Sequence, residues 1–231
     1  MVNVGPGWLN PNMVFERVAE LESERVANVL RDDIMLGHRE PGSRLIERDI
    51  AAELNVSRLP VREAIKVLVS EGIVVARPRT WAVVREFSIR DLQDFAEVRQ
   101  AMETLAFVLA TKRLDDAGIE RLEELVRAED AAAAAGDAVG ARIASSTFHM
   151  TAVMLAGNAM LTELAESLIT RLRWLFGQHE ELRVMAGEHR EIVDAMKAGD
   201  VEKLQQLIPT HLARGHDAAE RRLLARQKGA D

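Results

Sequence analysis

The sequence predicts a mainly α chain: an N-terminal winged helix-turn-helix followed by an all-α antiparallel helical bundle. Three observations predict it. Two short helical patterns meet at the tight corner Asn55-Val56, and two β-branched runs, IVVAR and AVVRE, follow soon after. From Ser88 onward only helical patterning remains, broken at short joints such as Gly136-Asp137, Gly157-Asn158 and Gly199-Asp200. No apolar stretch approaches the roughly 18–20 residues needed to span a bilayer.

The elements follow in order. Val18, Leu21, Val26, Val29, Leu30, Ile34 and Leu36 recur at helical spacing from about Val14, and Gly37 is a stop signal. Pro41-Gly42 marks a turn and SRLIE a short extended piece. A second helix covers about 47–54, and a third runs from Ser57 to about Ser70 with Val61, Ile65, Leu68 and Val69 as its buried stripe. IVVAR and AVVRE, separated by PRTW, read as a small hairpin. Ser88 with Asp91 caps a long helix to about Leu114. Further helices fit about 116–135, 137–156, 159–178, 181–198 and 200–227, the last interrupted by Pro209. The domain reading is a disordered tail over 1–13, a winged helix-turn-helix over 14–86 and a bundle over 87–231.

Composition excludes some chemistry. With no cysteine there is no disulfide framework, thiolate metal site or thiol nucleophile. The first thirteen residues lack the basic start and apolar stretch of a secretory signal, so a cytoplasmic chain is expected. The net charge is −7, which argues mildly against a nucleic-acid partner, but it is unevenly spread. Ser57 to Arg85 holds six basic residues against two acidic, whereas Phe87 to the end holds 18 against 24. The basic segment is the candidate phosphate-facing surface.

The local chemistry of the third helix suits DNA reading. Ser57 can cap it by accepting from a free backbone N–H. Pro60 falls in its first turn, where the missing N–H is not needed. Arg58 and Arg62, four apart, share one face near the end that enters the major groove in such motifs. On these grounds alone a solvated arginine face on an ordinary helix fits equally well.

The residues Gly37, Pro41-Gly42, Leu45, Ile50-Ala51, Val56-Ser57-Arg58, Pro60-Val61-Arg62-Glu63-Ala64, Leu68 and Glu71-Gly72 carry a close resemblance to the GntR family of bacterial regulators. The resemblance implies sequence-specific DNA binding through Arg48, Ser57, Arg58 and Arg62, with wing contacts to the minor groove from Arg79 and Thr80. Family members usually have glycine at the wing tip. Here Trp81 stands there, so the wing is reshaped or Trp81 packs on the C-terminal domain.

The stretches EVRQAMETLAFVLA, TFHMTAVMLAGN and EHREIVDAMKAGD, with THL following, resemble the all-helical FCD effector domain of one branch of that family. The resemblance implies a cavity for a small organic acid, often around a divalent metal such as Zn, Ni or Mn. The ligands, three histidines and an aspartate, map onto His149, His189, His211 and position 145, which is Ser145. Serine brings no charge, so a metal held by three neutral imidazoles would keep its charge uncompensated and attract an anionic effector. Without metal, the effector would meet Arg99, Ser145, His149, His189 and His211 directly. Arg99 and Glu103, four apart, also fit a plain ion pair, and Arg171 or Arg173 is a lesser effector candidate. Pro209 would kink the last helix and redirect His211.

The expected function is a transcriptional regulator, most commonly a repressor in this family. It would bind a two-fold symmetric double-stranded DNA operator as a homodimer, with the effector biasing the bundle between two arrangements. Two alternatives are a metal-dependent enzyme using the three histidines and an interaction module that has lost its effector site. No metallohydrolase motif such as HExxH supports the enzyme.

Overall fold

The structure, a computed structural model, describes residues 21–77, 81–177 and 181–228. The N-terminal tail, the first turns of the expected first helix and the wing-tip residues Arg79 and Thr80 lie outside the described residues. The chain divides into two compact units, Met1–Ser70 with Ala76–Val84, and Glu71–Val75 with Arg85–Asp231.

The first unit contains α1 (Glu22–Leu36), β1 (Arg44–Leu45), α2 (Glu47–Glu53) and α3 (Arg58–Ser70). Helix α1 ends at Gly37, whose φ of 82° is open to glycine at no steric cost. Helices α1 and α2 both pack on α3. Val26, Leu30, Ile34, Ile50, Val61, Ala64 and Leu68 are all within 2% of full burial. The inward row of α3 is therefore Val61, Ala64 and Leu68, spaced by three and four. Ile65 and Val69, expected in it, are only half-buried. Between α2 and α3 the chain reverses through Asn55 at φ 52°, a left-handed conformation that asparagine tolerates better than most residues. Val56 N–H then returns to the Ala51 carbonyl at 3.0 Å.

Strands β2 (Val74–Ala76) and β3 (Ala82–Val84) complete a three-stranded sheet in the order β1-β3-β2. The extended piece around Leu45 is thus a third strand, antiparallel to β3 with Arg44 opposite Val83. Central β3 is buried throughout. Trp81 is 36% exposed and lies under the Arg44 guanidinium, 4.0 Å from ring centroid to Cζ. The residue before β3 is thus occupied by a cation–π contact with the neighbouring strand.

The second unit contains α4 (Ile89–Arg113), α5 (Asp116–Ala135), α6 (Ala138–Leu155), α7 (Ala159–Phe176), α8 (Leu182–Lys197) and α9 (Val201–Lys228). Five of these begin on side-chain caps: Ser88, Asp115, Asp137, Asn158 and Asp200 each accept from a backbone N–H three residues on. Each such cap contributes about 1 kcal/mol. Helix α5 packs on α6 and α8, while α4 packs on α6 and α9. Phe107, Leu122, Phe148, Ile192, Leu204 and Ile208 meet between them, each at most 1% exposed. Helix α9 continues through Pro209, which supplies no N–H to the turn before it. Among the described residues, no helix is long and apolar enough to cross a membrane.

Candidate metal centre and nucleic-acid interface

Three helices bring the histidines together. His149 comes from the middle of α6, His189 from α8 and His211 from α9. Their Nε2 atoms form a triangle: 3.2 Å from His189 to His149, 3.1 Å from His189 to His211 and 3.3 Å from His211 to His149. His189 and His211 are at most 2% exposed. At the opposite side of each ring stands a carboxylate. Glu103 of α4 lies 2.7 Å from His149 Nδ1, Glu129 of α5 lies 2.6 Å from His189 Nδ1, and Glu188 of α8 lies 2.8 Å from His211 Nδ1.

That arrangement decides what the rings can do. A proton on Nδ1, hydrogen-bonded to the carboxylate at His189 and His211 and facing Glu103 at ion-pair distance at His149, leaves the Nε2 lone pair facing inward. Three such lone pairs at about 3.2 Å have no hydrogen to share among them. The spacing suits a cation at their centre: Zn–N bonds of about 2.0–2.1 Å at tetrahedral angles separate ligand atoms by about 3.3–3.4 Å. The donor set therefore fits a divalent metal on three of four tetrahedral positions.

Burial works against ionisation of Glu103, but the Arg99 guanidinium and His149 outweigh it and hold the carboxyl at about 2. The pKa of His149 is lowered, chiefly by burial, against an upward pull from Glu103. Arg99 is the largest cationic influence on Glu103; its Nε donates to Glu103 Oε1 at 2.6 Å. The sequence reading left Arg99 between an ion pair and an effector contact. The ion pair is present, and Arg99 also lines a cavity with Glu103, Ser145, His149, Arg173 and His211. The cavity, about 50 Å³, has room for about four water-sized groups. Ser145, one turn before His149, is buried at its wall. Arg171 lies elsewhere, its guanidinium 5.3 Å from the Phe95 ring centroid.

Sequence reasoning missed Glu129 and Glu188. Glu129 had a signal: it falls in phase with Leu122, Leu125 and Val126 on the buried face of α5, where an acid needs a partner. Glu188 adjoins His189 in sequence but serves His211, which no spacing rule shows. These acids also change the expected electrostatics. A cation at the three Nε2 atoms would have carboxylates directly behind every imidazole, so its charge would be offset rather than left bare.

In the first unit, Ser57, Arg58 and Arg62 are exposed at the start of α3. Arg62 donates to Glu47 of α2 through Nε and one terminal nitrogen, both at 2.9 Å, and Arg58 donates to Glu47 at 3.1 Å. The hydrogen bond from Arg62 is the chief cause that lowers the Glu47 pKa, against a smaller effect of burial. Arg48 is also exposed and pairs with Asp49 at 2.9 Å.

The profile described as "Bacterial regulatory proteins, gntR family" matches residues 22–84, and that of the FCD domain matches residues 94–214. The "Probable D-xylose utilization operon transcriptional repressor" of Paenarthrobacter nicotinovorans is 31% identical over 195 residues, covering 81% of this chain and 86% of that protein. The chain belongs to the GntR family. Another GntR relative, the HTH-type transcriptional regulator McbR of Escherichia coli (strain K12), is 29% identical over 77% of this chain and 83% of its own. The solved structure of E. coli McbR/YncC superposes with a TM-score of 0.73 at 25% identity, covering 87% of this chain and 98% of that one. As a GntR protein with an FCD domain, the chain is a DNA-binding transcriptional regulator, not an enzyme.

Proposed function

We propose that this regulator is a sensor in which His149, His189 and His211 hold a divalent metal and a small organic acid completes the site. The observation that carries the reading is the Nε2 triangle with a carboxylate behind every ring. Bound there, the metal supplies a Lewis-acidic anchor for a carboxylate oxygen. Ser145 adds no negative ligand, so a coordination position remains for the effector or water. Arg99 and Arg173, on the wall of the same cavity, attract and orient an anion. Zn, Ni and Mn are all candidates.

On the DNA side, Arg58 and Arg62 of α3 read base edges in the major groove, with Ser57 and Arg48 beside them. A homodimer presents two such helices to a two-fold symmetric operator, and the effector changes their affinity for it. Repression is the mode that the repressor name of the P. nicotinovorans relative supports, and binding of the organic acid would relieve it.

Elemental analysis of gently purified protein should find about one divalent metal per chain, lost in His149→Ala, His189→Ala and His211→Ala. Thermal-shift screening with di- and hydroxycarboxylates should raise the melting temperature only in metal-loaded protein. Metal-free protein whose DNA binding ignores both EDTA and added metal would overturn the metal reading. For the DNA side, Arg58→Ala with Arg62→Ala should weaken operator binding by a hundredfold or more, since each bidentate base contact is worth about 1–3 kcal/mol.

A further inference from the structure

We propose that Glu47 is a positioning residue for DNA reading: it aims the end of the Arg62 guanidinium outward and suppresses attraction of the arginine pair to phosphate. The inference rests on the reading in which α3 meets the major groove.

An arginine has five N–H donors in a planar fork. Glu47 takes the side of that fork, the Nε proton and one proton of the neighbouring terminal nitrogen, at 2.9 Å each. The end of the fork, with parallel N–H bonds on the two terminal nitrogens, is the edge that matches guanine O6 and N7. A carboxylate in this place therefore orients the base-reading edge without occupying it. It also removes side-chain freedom before DNA arrives, a cost that binding would otherwise meet.

The same carboxylate lies against Arg58 at 3.1 Å, so one negative charge serves two cations. Phosphate attraction is sequence-independent and follows net charge. Offsetting part of that charge weakens binding to any duplex, whereas a correctly aimed fork strengthens binding to one sequence. Both effects raise discrimination. The contact can also yield, because Arg58 and Arg62 keep 62% and 51% of their side-chain surface exposed. A structural helix-terminus role for Glu47, at the first position of α2 near the positive end of its dipole, predicts a different outcome.

The test uses the full chain with two probes: a 30-base-pair random-sequence duplex, and the tightest duplex that the native protein selects from a random library. Glu47→Gln should bind the random duplex several-fold more tightly and the selected duplex about tenfold more weakly, with an unchanged urea midpoint. Glu47→Asp keeps the charge but shortens the reach. It should leave random-duplex affinity at the native level while losing affinity for the selected one. Equal shifts on both duplexes, or none, in Glu47→Gln would overturn the proposal, as would loss of discrimination that merely tracks a lowered urea midpoint. Arg58→Ala with Arg62→Ala identifies the source of failure: native affinity in that variant removes the reading helix itself, and the Glu47 proposal with it. A loss there beside an indifferent Glu47→Gln removes only the latter.

Discussion

Carboxylates hold basic side chains in both units, and the two sites differ chiefly in exposure. Glu47 holds Arg58 and Arg62 at the surface, where side chains keep between 26% and 62% of their accessible area. Glu129 holds His189 where neither side chain exceeds 1%. Exposed pairs are worth about 0–1 kcal/mol, while removing one partner of a buried pair costs about 3–5 kcal/mol. The difference suits the two tasks. On the proposed reading, arginines that must adjust to a base edge while Glu47 orients them need only a weak hold, and imidazoles that would keep three lone pairs converged on a metal need a strong one.

The largest expected effect is in the core. Glu129→Ala should lower the unfolding free energy by about 3 kcal/mol, read from urea denaturation, because it strands a buried His189 Nδ1–H. Glu47→Ala should cost less than about 1 kcal/mol in the same measurement. Similar losses in the two variants would break the comparison. Glu188 is intermediate, with a side chain 20% exposed. Glu188→Gln should weaken binding of a divalent metal by about 10–100-fold, measured by competition with a chromophoric chelator, through poorer orientation of His211. Unchanged affinity would show that the core position of His211 aims its ring without help.

A third contact separates exposure from location. Ser88 and Asp91 belong to the bundle unit, yet their contact is at the surface. Ser88→Ala should cost about 1 kcal/mol at neutral pH. The Ser88 hydroxyl, and then its backbone N–H, hold the Asp91 carboxyl below its ordinary value. A depressed carboxyl contributes its full stability above the unfolded pKa of about 3.9 and loses it as pH falls through the lower folded value. The deficit of Ser88→Ala should therefore shrink as urea midpoints are followed from pH 6 to pH 3; a deficit that grows toward acid would contradict this.

Local signals determined much of the fold in the sequence itself. The five side-chain caps of the bundle, the left-handed glycine after α1 and the Asn55 corner act within a few residues, so their consequences can be read without knowing what packs against them. Periodicity likewise marks the inward rows, but it cannot choose among adjacent apolar positions: in α3 the inward place fell to Ala64, fully buried in line with Val61 and Leu68, rather than to half-buried Ile65. The basic α3 face and the three histidines were legible as residues. Their partners were not. Glu103, Glu129 and Glu188 stand 46, 60 and 23 positions from the histidines they serve, and Glu47 stands 15 from Arg62. The sequence thus determined which side chains were available and which helices would carry them. Only the tertiary structure decided which carboxylate backs which base, because that depends on packing between helices and on burial, and burial sets how firmly each contact holds.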